Sequence, residues 1–268
     1  MEISGDVRMP PLRRIEYLWR NAVRNLGATG VRPVTEHFGA TRSDANDCSS
    51  PGRLLTELHI RRFLPAILPV GRVRVLEIGC GSGRLCGMLA EMGYSGEYVG
   101  LDVQDRFGTK AIPGFERRLV LGDAHQFEAH DSRYDLIVSV SALEHIPEER
   151  RLLDRLPSML SPQGVELHYV PSGWGLPVYL WHGFRQYPLR YVSEAFGRRG
   201  VRIFALGGLF GFVLHLTLIT VGEMLLRLPI RRWLPRLYVR MLRGAVACDC
   251  YARVCPTMFA ISRIQDRV

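Results

Sequence analysis

The residues with the most chemical content lie in one stretch, Arg74 to Gly83, and in the acids that follow it. Gly79, Gly81 and Gly83 stand at alternating positions, a pattern that lets the backbone turn sharply and leaves the main chain, Cys80 included, bare against a ligand. Glu77, just before the turn, can hold positive charge or an amino group, directly or through water. Asp102 stands where the tip of the next strand is expected, and a carboxylate there can accept both hydroxyls of a ribose. Asp123 and Ser139 close two further apolar runs. A dinucleotide fingerprint needs a glycine three positions after Gly81, where this chain has Arg84, and an acid at Glu77 sits poorly beside a pyrophosphate. The pattern therefore describes a pocket for a cationic nucleoside rather than for NAD.

Those residues need elements that bring them together. The run from Val73 to Ile78 is short, β-branched and mostly apolar, which suits a strand buried on both faces, and Arg84 to about Met92 reads as the helix after it. Glu97 to Leu101, Arg118 to Leu121, Tyr134 to Val140 and Gly164 to Val170 read as four more strands, with a helix expected over Pro147 to Leu160. Strand and helix in alternation imply right-handed crossovers, a parallel sheet, and a ligand site along the carboxyl edge of its strands.

The segments VLEIGCGSGRL, YVGLDV, GDAHQF and YDLIVSVSALEHIP together resemble the successive motifs of class I S-adenosylmethionine-dependent methyltransferases, of the type 11-like kind, over Val73 to Pro171. The resemblance implies an α/β fold, Rossmann-like and doubly wound: a mostly parallel seven-stranded sheet with helices on both faces and an antiparallel last strand. Val201 to Leu206 would be its sixth strand and Met258 to Arg263 its seventh. It also implies S-adenosylmethionine as cofactor. In that family the glycine loop, here Gly79, Cys80, Gly81 and Gly83 above Glu77, contacts the methionine part. Asp102 would bind the ribose hydroxyls, with Val103 beside the adenine. Asp123 would meet the adenine amino group, with Ala124 adjacent, and Ser139 would approach the methionine end.

The expected organisation is an N-terminal amphipathic helix and linker over residues 1–50, then a methyltransferase domain over 51–268. Leu12, Ile15, Leu18, Trp19, Ala22, Val23 and Leu26 recur at helical spacing among arginines, so this helix can cap the main domain or touch a membrane surface. Ser49 or Ser50 before Pro51 is a good start for a second helix. Between the last two strands lies a hydrophobic helical insert, about 208–250. Its apolar run from Ile203 to Leu226 is long enough to cross a bilayer. A single crossing would put the sixth and seventh strands on opposite sides, so two inserted helices fit better, buried against the N-terminal helix and a partner subunit in a homodimer or resting on a membrane with arginines towards lipid phosphates.

Composition narrows the partners. The formal charge is +9 and Lys110 is the only lysine, so the excess is arginine; it suits acidic substrates or an anionic leaflet, and no zinc spacing or aromatic-interleaved basic strand points to nucleic acid. Six cysteines form no disulfide framework, the start is not a signal peptide, and the cytoplasm, with contact at the inner membrane face left open, is the expected location. Cys248, Cys250 and Cys255 lack a paired CxxC or a neighbouring histidine, so no metal is expected.

Methyl transfer from a sulfonium is an in-line displacement that needs a base only if the acceptor must lose a proton. His145, beside Glu144 after the fourth strand, is one candidate base; His182, in an aromatic, glycine-rich segment from Pro171 to Phe184 read as a substrate lid, is another. His125 and His130 are expected in loops. The chain thus reads as a methyltransferase acting on a small-molecule or lipid- or saccharide-linked acceptor, with a non-catalytic cofactor-binding scaffold as the alternative.

Overall fold

Eight strands are assigned in the computed structural model, which describes residues 3–108, 110–129, 133–197 and 200–264. They are β1 (Glu36–Phe38), β2 (Arg72–Ile78), β3 (Ser95–Asp102), β4 (Phe115–Leu121), β5 (Tyr134–Val140), β6 (Leu160–Pro171), β7 (Val201–Leu206) and β8 (Met258–Ile264). The sheet order is β1-β7-β8-β6-β5-β2-β3-β4, with β8 the antiparallel strand. The order of β5, β2, β3 and β4 reverses direction at β2, and such a switch point opens a crevice outside the strands' carboxyl ends.

The expected count of seven is corrected to eight. The extra strand comes from the segment read as linker: β1 pairs in parallel with β7, Glu36 opposite Phe204 and Phe38 opposite Leu206. His59 fills the space beside this pair, its ring 4.8 Å from that of Phe38 and 4.6 Å from that of Phe204. The helix expected over Pro147 to Leu160 is also corrected. A short helix, Glu149–Leu153, gives way to a tight turn over Leu156–Met159, and Leu160 is already paired with Tyr134 in the sheet. Pro157 removes a backbone donor there. Among the described residues, no helix joins β3 to β4 or β4 to β5, because Gly108, Pro113 and Gly114 break the first connection.

The described chain divides into two compact units. One comprises Arg61–Tyr169, Ala195–Arg202 and Ile261–Val268 and contains β2 to β5. Its centre is β2, where Val75, Leu76 and Ile78 are buried, flanked by Leu136, Ile137 and Val138 of β5 and by Tyr98 and Leu101 of β3. These apolar runs pair in parallel and are covered on both faces, as their composition requires.

The other unit comprises Met1–Ile60, Val170–Glu194 and Ile203–Ala260. Its first helix, Pro11–Gly27, buries Tyr17 and Asn21; the Tyr17 hydroxyl donates to the carbonyls of His182 and Gly183 at 2.7 and 3.0 Å. The Ser50 hydroxyl accepts from the Arg53 N–H at 3.4 Å at the start of the next helix, as expected of an N-cap. The insert holds a helix Leu209–Leu214 running into a π-helical stretch His215–Leu225, a short turn Ile230–Trp233 and a helix Pro235–Asp249. Buried Asp249 accepts from the N–H groups of Phe210 and Gly211, capping the first of these helices with the last residue of the final one. Glu223 binds Arg231 through the side chain at 2.6 Å and the main chain at 2.8 Å, closing the bend between them. Among the described residues, no helix is long and apolar enough to cross a membrane.

Candidate cofactor site

The glycine turn folds as its sequence dictates. Gly79, Gly81 and Gly83 all have positive φ, at 71°, 51° and 74°, a region that side chains with a Cβ rarely occupy. The turn is pinned to the end of β3: the N–H groups of Gly79 and Cys80 both donate to the Leu101 carbonyl, at 2.8 and 3.0 Å. A Cβ at Gly79 would stand 2.3 Å from that of Ala142, whereas one at Gly81 would meet nothing within 4 Å. Gly79 is therefore glycine for packing, and Gly81 presents bare main chain to open space.

Asp102 ends β3 beside that space. Its carboxylate accepts from the Gly81 N–H at 2.8 Å and from the Gln104 N–H at 2.9 Å, so one acid ties the strand tip to the glycine turn and keeps lone pairs for a ligand hydroxyl. Val103 beyond it is 69 % exposed, an apolar face offered to solvent. Asp123, also exposed, accepts from the His125 N–H at 2.9 Å, and Ala124 is buried. On the outer side Arg117 donates to the carbonyl of Gly108 at 2.9 Å and to that of Lys110, bracing the loop after β3.

Glu77 is fully buried beneath the turn, where the Tyr98 hydroxyl donates to it. Burial, reinforced by the negative charge of Asp102 and only partly offset by the Tyr98 bond, pushes its carboxyl up to about 8, so the acid is largely protonated at neutral pH. The Cys80 thiol is pushed up to about 12 by burial and by the Glu77 and Asp102 charges, which disfavours the thiolate.

Ser139 is at the end of β5, but its hydroxyl is wholly buried and meets His168 Nδ1 of β6 at 2.8 Å. His168 Nε2 lies 3.6 Å from Glu166, and Arg263 donates to Glu166 at 2.9 Å. The sequence reading missed this buried chain and also Tyr98; its only signal was the polar side chains at alternating positions in a strand otherwise apolar. His145 follows buried Glu144 in a tight turn, half-buried, its N–H donating to the Ala142 carbonyl at 2.9 Å. It belongs to the unit that holds the glycine turn. His182 belongs to the other unit, with Nδ1 3.8 Å from Asp6. The His125 ring bonds the Pro147 carbonyl at 2.8 Å; His130 lies outside the described residues.

A mostly parallel sheet whose second strand breaks into three left-handed glycines, with an acid at the tip of the third strand tied to that turn, is a Rossmann-like arrangement of the kind that the resemblance to class I S-adenosylmethionine-dependent methyltransferases implies. The family model described as a methyltransferase domain matches residues 75–164, and this match, with the relatives below, supports S-adenosylmethionine as the cofactor of that segment. An uncharacterized methyltransferase of Mycobacterium tuberculosis is 32 % identical over 134 residues, which are 47 % of this chain and 64 % of that protein. The ubiquinone biosynthesis O-methyltransferase of Bartonella tribocorum is 25 % identical over 130 residues, 45 % of this chain and 52 % of its own. The matched segments thus span between half and two thirds of these relatives. Among solved structures, that of the [4+2]-cyclase SpnF aligns over 99 % of this chain and all of its own with a TM-score of 0.51 at 18 % identity, a likeness of fold.

Proposed function

We propose that the chain transfers the methyl group of S-adenosylmethionine to a small-molecule acceptor, or to a lipid- or saccharide-linked one. One observation carries the reading: the Asp102 carboxylate is held against the Gly81 N–H beside main chain that no Cβ covers. SpnF is named a cyclase, so fold alone does not assign methyl transfer; the motif residues and the relatives named as methyltransferases support it.

The cofactor supplies an electrophilic methyl group on a sulfonium. Asp102 would accept the ribose hydroxyls, Val103 would offer its exposed apolar face to the adenine, and Asp123 with Ala124 would receive the adenine amino group. Gly79, Cys80, Gly81 and Gly83 give main-chain contact to the methionine part, and Glu77 beneath them answers its positive charge. Ser139, its hydroxyl taken by His168, would approach the methionine end from the carboxyl-terminal end of β5. His145 or His182 removes a proton from an acceptor hydroxyl where one must leave.

Incubation with methyl-labelled S-adenosylmethionine and fractionated cell extract tests the assignment. Label is expected in a small-molecule, lipid or saccharide fraction and not after Asp102→Ala. Label in no fraction, or equal label with that variant, would contradict it.

A further inference from the structure

The helix Pro11–Gly27 is mounted inside out. Its buried contacts are made by Tyr17 and Asn21, while Leu12, Ile15, Trp19, Val23 and Leu26, which recur at helical spacing along a single stripe, all face solvent, Trp19 at 70 % exposure. The stripe that a water-soluble helix normally hides is the one this helix displays. The insert of the same unit repeats the pattern. Phe210, Val213, Leu225, Leu226, Trp233 and Leu237 are exposed large apolar side chains, Trp233 at 62 %. Large apolar side chains left exposed on two elements of one unit are what an interaction surface supplies.

The charge around the insert selects the partner. From Met224 to Cys248 the sequence holds six arginines and no acid. Arg231 is paired with Glu223, but Arg227, Arg232, Arg236 and Arg240 are exposed and have no ion-pair partner among the described residues. A second copy docking through this face would bring like charges together. A layer of anionic phosphates over acyl chains answers both features: arginines reach the phosphates while Trp, Leu and Phe side chains enter the boundary beneath.

We infer that this unit docks on an anionic lipid surface through the outward stripe of Pro11–Gly27 and the exposed apolar and arginine side chains of the insert. None of the residues invoked is Glu77, Asp102 or a glycine of the turn, which belong to the other unit, so the inference stands or falls separately from methyl transfer. Flotation of the full chain with vesicles of phosphatidylglycerol and phosphatidylcholine, against phosphatidylcholine alone, tests it, with tryptophan emission as a second readout. The protein is expected to float with the anionic vesicles at low salt, with emission shifted to the blue. Trp233→Ser/Leu237→Ser, Trp19→Ser/Leu26→Ser and Arg232→Glu/Arg236→Glu should each lower the partition about tenfold. All three are surface changes and should keep the wild-type circular dichroism spectrum and thermal midpoint, which shows that they fold. A wild type that stays in the soluble fraction, equal binding to neutral vesicles, wild-type flotation of the variants, or a solution dimer that Trp233→Ser/Leu237→Ser abolishes would overturn the inference.

Discussion

The Asp102 carboxylate accepts a hydrogen bond from the Gly81 N–H at 2.8 Å, joining the tip of β3 to the turn that follows β2. A second bond from the Gln104 N–H at 2.9 Å fixes its other oxygen. The acid is thereby held in place by its own main chain, so little ordering is left for a ligand to impose.

The three glycines should separate by role. Gly79→Ala places a methyl group 2.3 Å from the Ala142 Cβ and strains a φ of 71°, so thermal unfolding should show a loss of at least about 1–3 kcal/mol. Gly81→Ala carries a similar backbone strain but meets open space. It should leave a folded protein whose affinity for S-adenosylhomocysteine has fallen by more than its stability has. Equal effects of the two substitutions on stability would count against this division.

Glu77 should make cofactor binding release protons. Its carboxyl titrates at about 8 when folded, against an ordinary value of 4.5, and a cationic ligand above it favours the ionised form. Calorimetry at pH 7 in buffers of different ionisation enthalpy should show net proton release with S-adenosylmethionine that Glu77→Gln abolishes. The unliganded protein carries the matching signature. A carboxyl raised by folding stabilises fully below pH 4.5 and loses that contribution as pH rises through 8, so Glu77→Gln should flatten the stability profile across that window.

His215 should make the other unit acid-sensitive. Burial, with the nearby Arg231 charge, lowers its pKa to about 4, and its ring packs edge-on against Tyr179 at 5.1 Å. A base depressed by folding costs stability as pH falls from 6.5 through 4, here on the order of 3 kcal/mol when the shift is fully expressed. His215→Phe, which removes the titration, should resist acid unfolding monitored by circular dichroism better than the wild type does.

Asp249→Ala should leave the N–H groups of Phe210 and Gly211 without their buried acceptor. A cap of this kind is worth about 1–2 kcal/mol, so urea midpoints should fall while binding of S-adenosylhomocysteine is retained. An unchanged midpoint would show that the cap carries no weight.

The sheet and the glycine turn were legible in the sequence because local signals agreed: apolar runs of strand length, glycines where φ must be positive, and acids where strands end. What escaped the reading depended on tertiary context. Glu36 to Phe38 carries a glutamate and a histidine and lacks strand periodicity; it is a strand because an edge of β7 is there to pair with it. Pro147 to Leu160 has a helical apolar pattern, yet the pairing of Leu160 with Tyr134 takes its end into the sheet. The amphipathic stripe of Pro11–Gly27 was visible, but periodicity does not say which side faces inward, and Tyr17 and Asn21 decide that. Tyr98 under Glu77 and His168 beside Ser139 are cross-strand neighbours, set by register rather than by sequence spacing.

The most direct measurement is titration of the wild type and of Asp102→Ala with S-adenosylhomocysteine by isothermal calorimetry. The arrangement at Gly81 and Asp102 predicts binding at one site per chain in the wild type, weakened at least about tenfold by loss of the charge-assisted hydrogen bonds in the variant. No heat of binding in a folded wild type, or equal affinity in Asp102→Ala, would contradict it.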